Sequence, residues 1–150
     1  VEIGSVSDIQ RCYDFRVGFE AGAAGLAATA WRAQEMVELE SAVAELSQAL
    51  SKGELAVDAD SRFHRAVAAA TRNPYYISVQ NSLDQNIRFG MNLALNLSLL
   101  KPATRNKIVV EEHAEIIEAI RQRDATAASQ AMAKHIENAR KRMFEGCETT

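Results

Sequence analysis

Apolar residues recur at intervals of three and four along most of the chain, which is the spacing of an amphipathic helix. The segment from about Ala33 to Leu50 shows it most clearly, with one apolar face made of Met36, Val37, Leu39, Val43, Leu46 and Leu50. No stretch of useful length alternates between apolar and polar residues, as a half-buried strand would. The pattern therefore predicts a chain of helices without a sheet.

Turn and capping signals divide this pattern into about six helices. Asp8 is the predicted N-cap of the first helix, Gly53 tolerates the positive φ that often ends a helix, and Asn73-Pro74 opens the fourth helix as an N-cap followed by a first-turn proline. Lys101-Pro102 ends that helix, and Asp124 caps the last one. The predicted spans are about 8–28, 33–50, 55–71, 74–97, 104–123 and 125–144. We expect a single antiparallel all-α bundle.

Composition supports one helical domain and excludes several other classes of protein. The 150 residues are 47% hydrophobic and 25% charged, with a net charge of -3, too apolar and too weakly charged for intrinsic disorder. The longest stretch without Asp, Glu, Lys or Arg spans 12 residues, Phe89 to Leu100, against about 20 for a membrane-spanning helix. Mild acidity also argues against nucleic-acid binding by this segment alone.

The two cysteines and the N-terminal segment indicate the cellular compartment in which we expect the protein to work. Cys12 and Cys147 lie near opposite ends of the chain, without the spacing of a metal site or a disulfide framework. No basic segment followed by an apolar segment opens the chain, as it would in a secretory signal. We therefore expect a reducing, cytoplasmic environment and no contact with a membrane.

All three histidines fall on apolar faces, each on a different predicted helix. His64 shares its face with Asp60, one turn earlier, so both side chains can reach one ion. His113 and His135 lie on the apolar faces of the fifth and sixth helices. For a single histidine the alternative is a core residue hydrogen-bonded to a neighbour. Together with Asp60, the three supply three nitrogens and one oxygen, a ligand group that suits zinc, nickel, manganese or iron.

Several motifs in combination resemble a known family. They are residues 16–20 (RVGFE), 60–67 (DSRFHRAV), 73–74 (NP), 112–124 (EHAEIIEAIRQRD) and 131–136 (AMAKHI). Together they are similar to the FCD domain, the effector-binding domain of the FadR subgroup of GntR-type bacterial transcription regulators. The resemblance runs from about Ile9 to Arg142.

The resemblance implies a ligand-sensing helical bundle, usually a homodimer, that follows an N-terminal winged helix-turn-helix domain. In the metal-containing branch of the family, one Asp and three His hold a divalent ion beside a small organic acid, and these map onto Asp60, His64, His113 and His135. Among zinc, nickel, manganese and iron, we expect zinc. The acyl-CoA-binding branch lacks this ligand set, so fatty-acyl sensing is disfavoured. Because the chain starts at Val1 and has no basic recognition helix, we expect DNA binding only through an N-terminal domain absent from this chain.

An organic acid needs charge-assisted donors as well as a metal. Arg88 and Asn92 are our candidates, on an amide-rich face of the fourth helix for which the alternative is a solvated surface. Arg16 occupies a position where the family carries an arginine, although Glu20, one turn away, makes a structural ion pair the alternative.

Three functions follow from a metal in a helical bundle. The first is a non-enzymatic sensor domain, and the second is a metal-dependent hydrolase or transferase. The third is a purely structural metal in a dimerisation module. Catalysis usually needs an acid or base beside metal-bound water. Beyond Asp60 we expect no second carboxylate at the metal, because Glu112 and Glu115 point away from the face of His113.

Overall fold

A computed structural model describes residues 4–54, 56–96 and 106–144. These residues form six helices: α1 (Val6–Ala30), α2 (Ala33–Ser51), α3 (Val57–Ala70), α4 (Pro74–Asn96), α5 (Asn106–Arg121) and α6 (Ala125–Phe144). The described ranges contain no strand, which confirms the predicted all-α class, and none of their helices is long and apolar enough to cross a membrane. Some residues named in the predictions lie outside the described ranges: Leu55, Leu97, Lys101, Pro102, Thr104 and Cys147.

The helix ends confirm most of the predicted caps and correct one. Asp124 Oδ1 accepts the backbone N–H of Ala127 at 3.0 Å, and Gly53 has a φ of +79° after α2. The N-cap of α1 is Ser5, not Asp8, because Ser5 has an extended backbone and its hydroxyl accepts the N–H of Asp8. Asp8 lies inside the first turn and accepts the N–H of Gly4 instead.

Helices α1 and α6 make the most extensive contact in the bundle. Small buried residues on α1 permit their close approach: Ala23, Ala24, Ala27 and Ala28. A Cβ on Gly25 would lie 3.3 Å from the carbonyl oxygen of Ala125, tighter than ordinary van der Waals contact. The small residues of α1 therefore belong to the core of the domain.

Arg123 joins the corner between α1 and α2 to the turn between α5 and α6. Its backbone is left-handed, with a φ of +59°, and its guanidinium lies 4.0 Å from the centre of the Trp31 ring. The guanidinium also donates to the carbonyl of Trp31 at 2.8 Å, while the Trp31 indole donates to the carbonyl of Ile120 at 2.8 Å. These contacts hold α5 and α6 in register with α1, so that the histidines of α5 and α6 face the centre of the bundle.

Candidate metal centre

Asp60, His64, His113 and His135 meet at the centre of the bundle. Each offers one ligand atom, and the four atoms lie within 4.8 Å of one another. Asp60 and His64 come from one face of α3, as their spacing predicts, while α5 and α6 contribute the other two. The three histidines are buried, whereas the Asp60 side chain is 17% exposed. The cluster is therefore closed except on the side of Asp60.

One ring nitrogen of His113 is held by the backbone of its own helix. Its Nδ1 lies 2.7 Å from the backbone carbonyl oxygen of Val109, one turn earlier on α5. A carbonyl only accepts hydrogen bonds, so Nδ1 carries a proton, and Nε2 is the nitrogen whose lone pair could bind a metal. That Nε2 lies 3.1 Å from Oδ1 of Asp60.

His135 is held in the same way by a carboxylate. Its Nδ1 lies 2.7 Å from Oε1 of Glu112, and both side chains are buried. An ionised carboxylate accepts and cannot donate, so Nδ1 again carries the proton. Nε2 is left as the nitrogen that can bind a metal.

His64 completes the set, and neither of its buried ring nitrogens has a hydrogen-bond partner. Its Nδ1 lies 2.6 Å from Oε1 of Glu20, close enough for an ion pair, although the N–H does not point at the oxygen. Its Nε2 lies 3.5 Å from Oδ1 of Asp60 and has no hydrogen-bond partner. Buried polar atoms without partners are rare and costly, and a metal ion would satisfy this one.

The residues fit a divalent metal. Two ligand atoms that each lie about 2.1 Å from one ion are roughly 3.0–3.4 Å apart. The distances from Asp60 Oδ1 to His113 Nε2 and His64 Nε2, 3.1 and 3.5 Å, are close to that range. Imidazoles whose second nitrogen is held by a carboxylate or carbonyl are typical of metal sites in proteins. The donor set suits zinc, nickel, manganese and iron.

Without a metal, the surroundings of His64 and His135 shift their pKa values in opposite directions. Burial alone would lower the pKa of His64, but the carboxylates of Glu20 and Asp60 outweigh it and raise the pKa to about 9. Burial and the neighbouring His113 lower the pKa of His135 to about 3. Although burial opposes it, His64 and His113 hold the pKa of Asp60 well below its usual range.

Two buried carboxylates beside the cluster were missed or misplaced by the sequence analysis. Glu112, predicted to point away, is buried and bonds to His135, because α6 packs against the side of α5 that carries it. Glu20 lies beside His64 and accepts from Arg16 Nε at 2.6 Å, which is the ion pair given above as the alternative role of Arg16. Glu20 and Glu112 each fall in register with the apolar residues of their own helix, and this spacing could have identified both as buried. Burial alone would raise the pKa of each carboxylate. Arg16 and His64 outweigh burial at Glu20, and His135 and Arg142 outweigh it at Glu112, so both pKa values fall to about 2.

A cleft lies between α1 and α4, on the side of α1 that carries Arg16. It is lined by Ile9, Cys12, Tyr13, Arg16, Asn86, Ile87, Gly90, Met91 and Met143. The Arg16 guanidinium lies 5.0 Å from the centre of the Tyr13 ring. Although burial opposes it, the carboxylate of Glu20 raises the pKa of Arg16, with smaller contributions from Tyr13 and Asp60. Arg16 therefore lies between the cleft and the cluster.

The other two predicted ligand-binding residues lie elsewhere on α4. Arg88 is about one-third exposed, and its guanidinium contacts Asp84, at 3.2 Å, and Asp58. Asn92 is exposed. Neither residue is among those that line the cleft beside Arg16.

Comparison with known proteins decides the family. A family model of the FCD domain matches residues 11–138, most of the chain. The chain belongs to the FCD domain family. This confirms the resemblance drawn from the motifs around the four clustered residues.

Curated relatives and solved structures agree with this assignment. The chain is 27% identical to the HTH-type transcriptional regulator LutR of Bacillus subtilis, over 87% of this chain and 60% of that protein. It is also 27% identical to the Uxu operon regulator of Haemophilus influenzae, over 84% and 47% of the two chains. The chain thus spans about half to three-fifths of the length of these relatives.

The fold is shared with two solved structures. Streptococcus agalactiae GntR superposes with a TM-score of 0.77 at 24% identity, covering 93% of this chain and 62% of that one. E. coli McbR/YncC superposes with a TM-score of 0.81 at 18% identity, covering 96% and 68%. The six-helix bundle is therefore the architecture of these proteins' matching regions.

Proposed function

We propose that this chain is the effector-sensing and dimerisation domain of a metabolite-responsive transcription regulator of the GntR type. Membership of the FCD family supports this, as do the two curated relatives, both named as regulators and neither as an enzyme. Both are considerably longer than this chain. DNA binding would then belong to an N-terminal domain of the whole protein.

One observation carries the proposal of a metal-dependent sensor. The Nδ1 atoms of His64, His113 and His135 each lie 2.6–2.7 Å from an oxygen, which leaves three Nε2 atoms for the side of Asp60. Once metal binding has displaced the extra proton of His64, this arrangement offers three imidazole nitrogens and one carboxylate to a single ion. A bound zinc or similar ion would supply a Lewis acid for a carboxylate or hydroxyl oxygen of the effector.

We assign the effector to small organic acids, with Arg16 as the first donor to the acid. Arg16 lines the cleft between α1 and α4 and presents a planar guanidinium suited to a carboxylate. Arg88 and Asn92 stay as the second and third candidate donors. Lactate, sugar acids and dicarboxylates all have this chemistry.

The regulatory signal would arise because the acid binds two conformations of the domain with different affinities. A ligand shifts a conformational equilibrium only when it binds one state more tightly than the other. An acid that contacts Arg16 on α1, the metal on α3, α5 and α6, and the α4 wall of the cleft would favour the state in which these helices lie closest together. That change would alter the spacing of DNA-binding domains in a dimer.

Calorimetric titration tests the proposal directly. Zinc-loaded and chelator-treated protein are each titrated with lactate, a sugar acid and a dicarboxylate, and with the amide of each acid as a matched control. We expect an acid to bind the loaded protein at least tenfold more tightly, and its amide to bind neither form. Equal affinity of every acid for both forms would refute direct coordination.

A second titration separates the candidate donors. Arg16→Lys keeps the charge that balances Glu20 but loses the bidentate fork, so we expect at least a tenfold loss of acid affinity. Arg88→Ala should change it less than twofold, because Arg88 is not among the residues that line the cleft beside Arg16. A larger loss of acid affinity in Arg88→Ala than in Arg16→Lys would place the carboxylate site on α4. The zinc content should be the same in both variants.

The alternatives are a metal-dependent enzyme and a structural metal. Glu20 and Glu112 lie near the centre, but each is bound by a histidine and an arginine and is therefore unsuited to act as a general base. The coordination number of the zinc separates a sensing site from a structural one. X-ray absorption of the zinc-loaded protein should show one or more oxygen ligands beyond the four side chains if the site senses an acid, whereas a shell of four protein ligands indicates structure alone.

A further inference from the structure

Glu112 is surrounded by donors on α6. Oε1 accepts from His135 Nδ1 at 2.7 Å and from Arg142 Nη2 at 2.8 Å. Oε2 accepts from Asn138 at 3.0 Å and from Arg142 Nη1 at 2.9 Å. Arg142 therefore grips the carboxylate through both terminal nitrogens, and the carboxyl group is fixed in position and orientation.

This arrangement determines which nitrogen of His135 carries its proton. A neutral imidazole has one N–H and one lone pair, and the hydrogen bond at one nitrogen decides between the two tautomers. Because Glu112 is held by Arg142 as an acceptor, only the tautomer with hydrogen on Nδ1 satisfies both groups. The lone pair is then always on Nε2, on the side of the other ligands.

Glu112 also connects two ligands that are far apart in sequence. It immediately precedes His113 on α5, yet its side chain orients His135 on α6. One short segment of α5 thus provides a ligand and the group that aligns another ligand. The neighbouring Glu111 and Glu115 are exposed.

We propose that Glu112 is a positioning residue for the metal centre, which fixes the tautomer and ring orientation of His135 while Arg142 and Asn138 hold its carboxylate. This inference rests on the proposed metal site. Groups in this position typically contribute 10- to 100-fold to metal affinity.

The decisive variant is Glu112→Gln, with Glu115→Gln as the matched control on the same helix. A carboxamide has a donor as well as an acceptor, so it can bond to either tautomer of His135 and no longer excludes hydrogen on Nε2. We expect zinc affinity, measured by competition with a chromophoric chelator, to fall 10- to 100-fold in Glu112→Gln. In Glu115→Gln it should change less than twofold.

Nitrogen NMR of metal-free protein gives a readout independent of zinc. In the wild type at pH 7, the ¹⁵N shifts of His135 should show hydrogen on Nδ1, and in Glu112→Gln they should show a mixture of tautomers. This spectrum of the wild type alone tests the inference even if the variant does not fold. Hydrogen on Nε2 of His135 in the wild type would overturn it.

The outcomes separate this inference from the proposed function. If wild-type protein binds no zinc, the proposed metal-dependent function fails, whatever the tautomer of His135. If the wild type binds zinc and folded Glu112→Gln binds it within twofold as tightly, the function stands and the positioning role of Glu112 is refuted.

Discussion

Glu20 and His64 lie on different helices, and Oε1 of Glu20 is 2.6 Å from Nδ1 of His64 with both side chains 2% exposed. Helix α1 contributes Glu20 but none of the four clustered ligands. The other carboxylate oxygen of Glu20 lies 2.6 Å from Arg16, also on α1. A buried chain of three charged groups therefore ties α1 to the metal centre through α3.

Loss of the Glu20 charge should strongly destabilise the metal-free protein. In Glu20→Gln, Arg16 stays buried without its counter-ion, and breaking a buried pair in this way typically costs about 3–5 kcal/mol. Urea unfolding of chelator-treated protein measures the change. The double variant Arg16→Gln/Glu20→Gln should recover part of the loss, because it buries no uncompensated arginine. Additive effects of the two substitutions would show that the pair is not coupled.

Metal should stabilise the domain, and chelation should reverse the effect. An ion that binds only the folded state at 100 times its Kd adds about 2.7 kcal/mol to the free energy of unfolding. We expect zinc to raise the Tm of the wild type, and His113→Ala or His135→Ala to abolish that increment. Calorimetric melting of samples checked by elemental analysis makes the measurement. The same Tm in loaded and chelated wild type would identify the histidines as core residues alone.

The metal-free protein should be most stable near pH 6.5. The pKa of His64 is raised to about 9, so its contribution is full below the unfolded value of about 6.5 and is lost as the pH rises towards 9. The pKa of His135 is lowered to about 3, so its contribution is full above about 6.5 and is lost as the pH falls. Urea unfolding between pH 4 and pH 9 measures both the loss of stability towards acid and the loss towards alkali. His64→Gln should remove the loss between pH 6.5 and pH 9, and stability that still falls there would contradict this assignment.

We expect the wild type to form the proposed dimer through an exposed aromatic stack between α1 and α4. Phe15 is 51% exposed and stacks on Phe19 at 5.5 Å between ring centres, and Phe19 stacks on Tyr76 at 5.4 Å. We expect Phe15→Asp to give a monomer by analytical ultracentrifugation, since burying an unpaired carboxylate in an interface is costly. Val37→Asp, at a 67% exposed position on α2, is the matched control and should stay dimeric. A dimeric Phe15→Asp would place the interface elsewhere.

Helical spacing made the fold and the four clustered residues predictable. Asp60 and His64 share a face because they are one turn apart, and His113 and His135 follow the apolar faces of their helices. The roles of Glu112 and Glu20 could not be derived in this way, because they depend on which helices pack together. Arg142 lies in the last turn of α6, where a cation would also suit the helix dipole, so only the packing of α6 on α5 reveals its carboxylate partner.

The pairing of the first helix with the last has a consequence for synthesis on the ribosome. Because α1 packs mainly against α6, the face of α1 that meets α6 lacks its native partner until α6 has left the exit tunnel. His135 arrives with that same helix, so the four-residue metal cluster cannot be completed on a partial chain. Completion of the proposed centre therefore has to wait until α6 has been synthesised and has packed against α1 and α5.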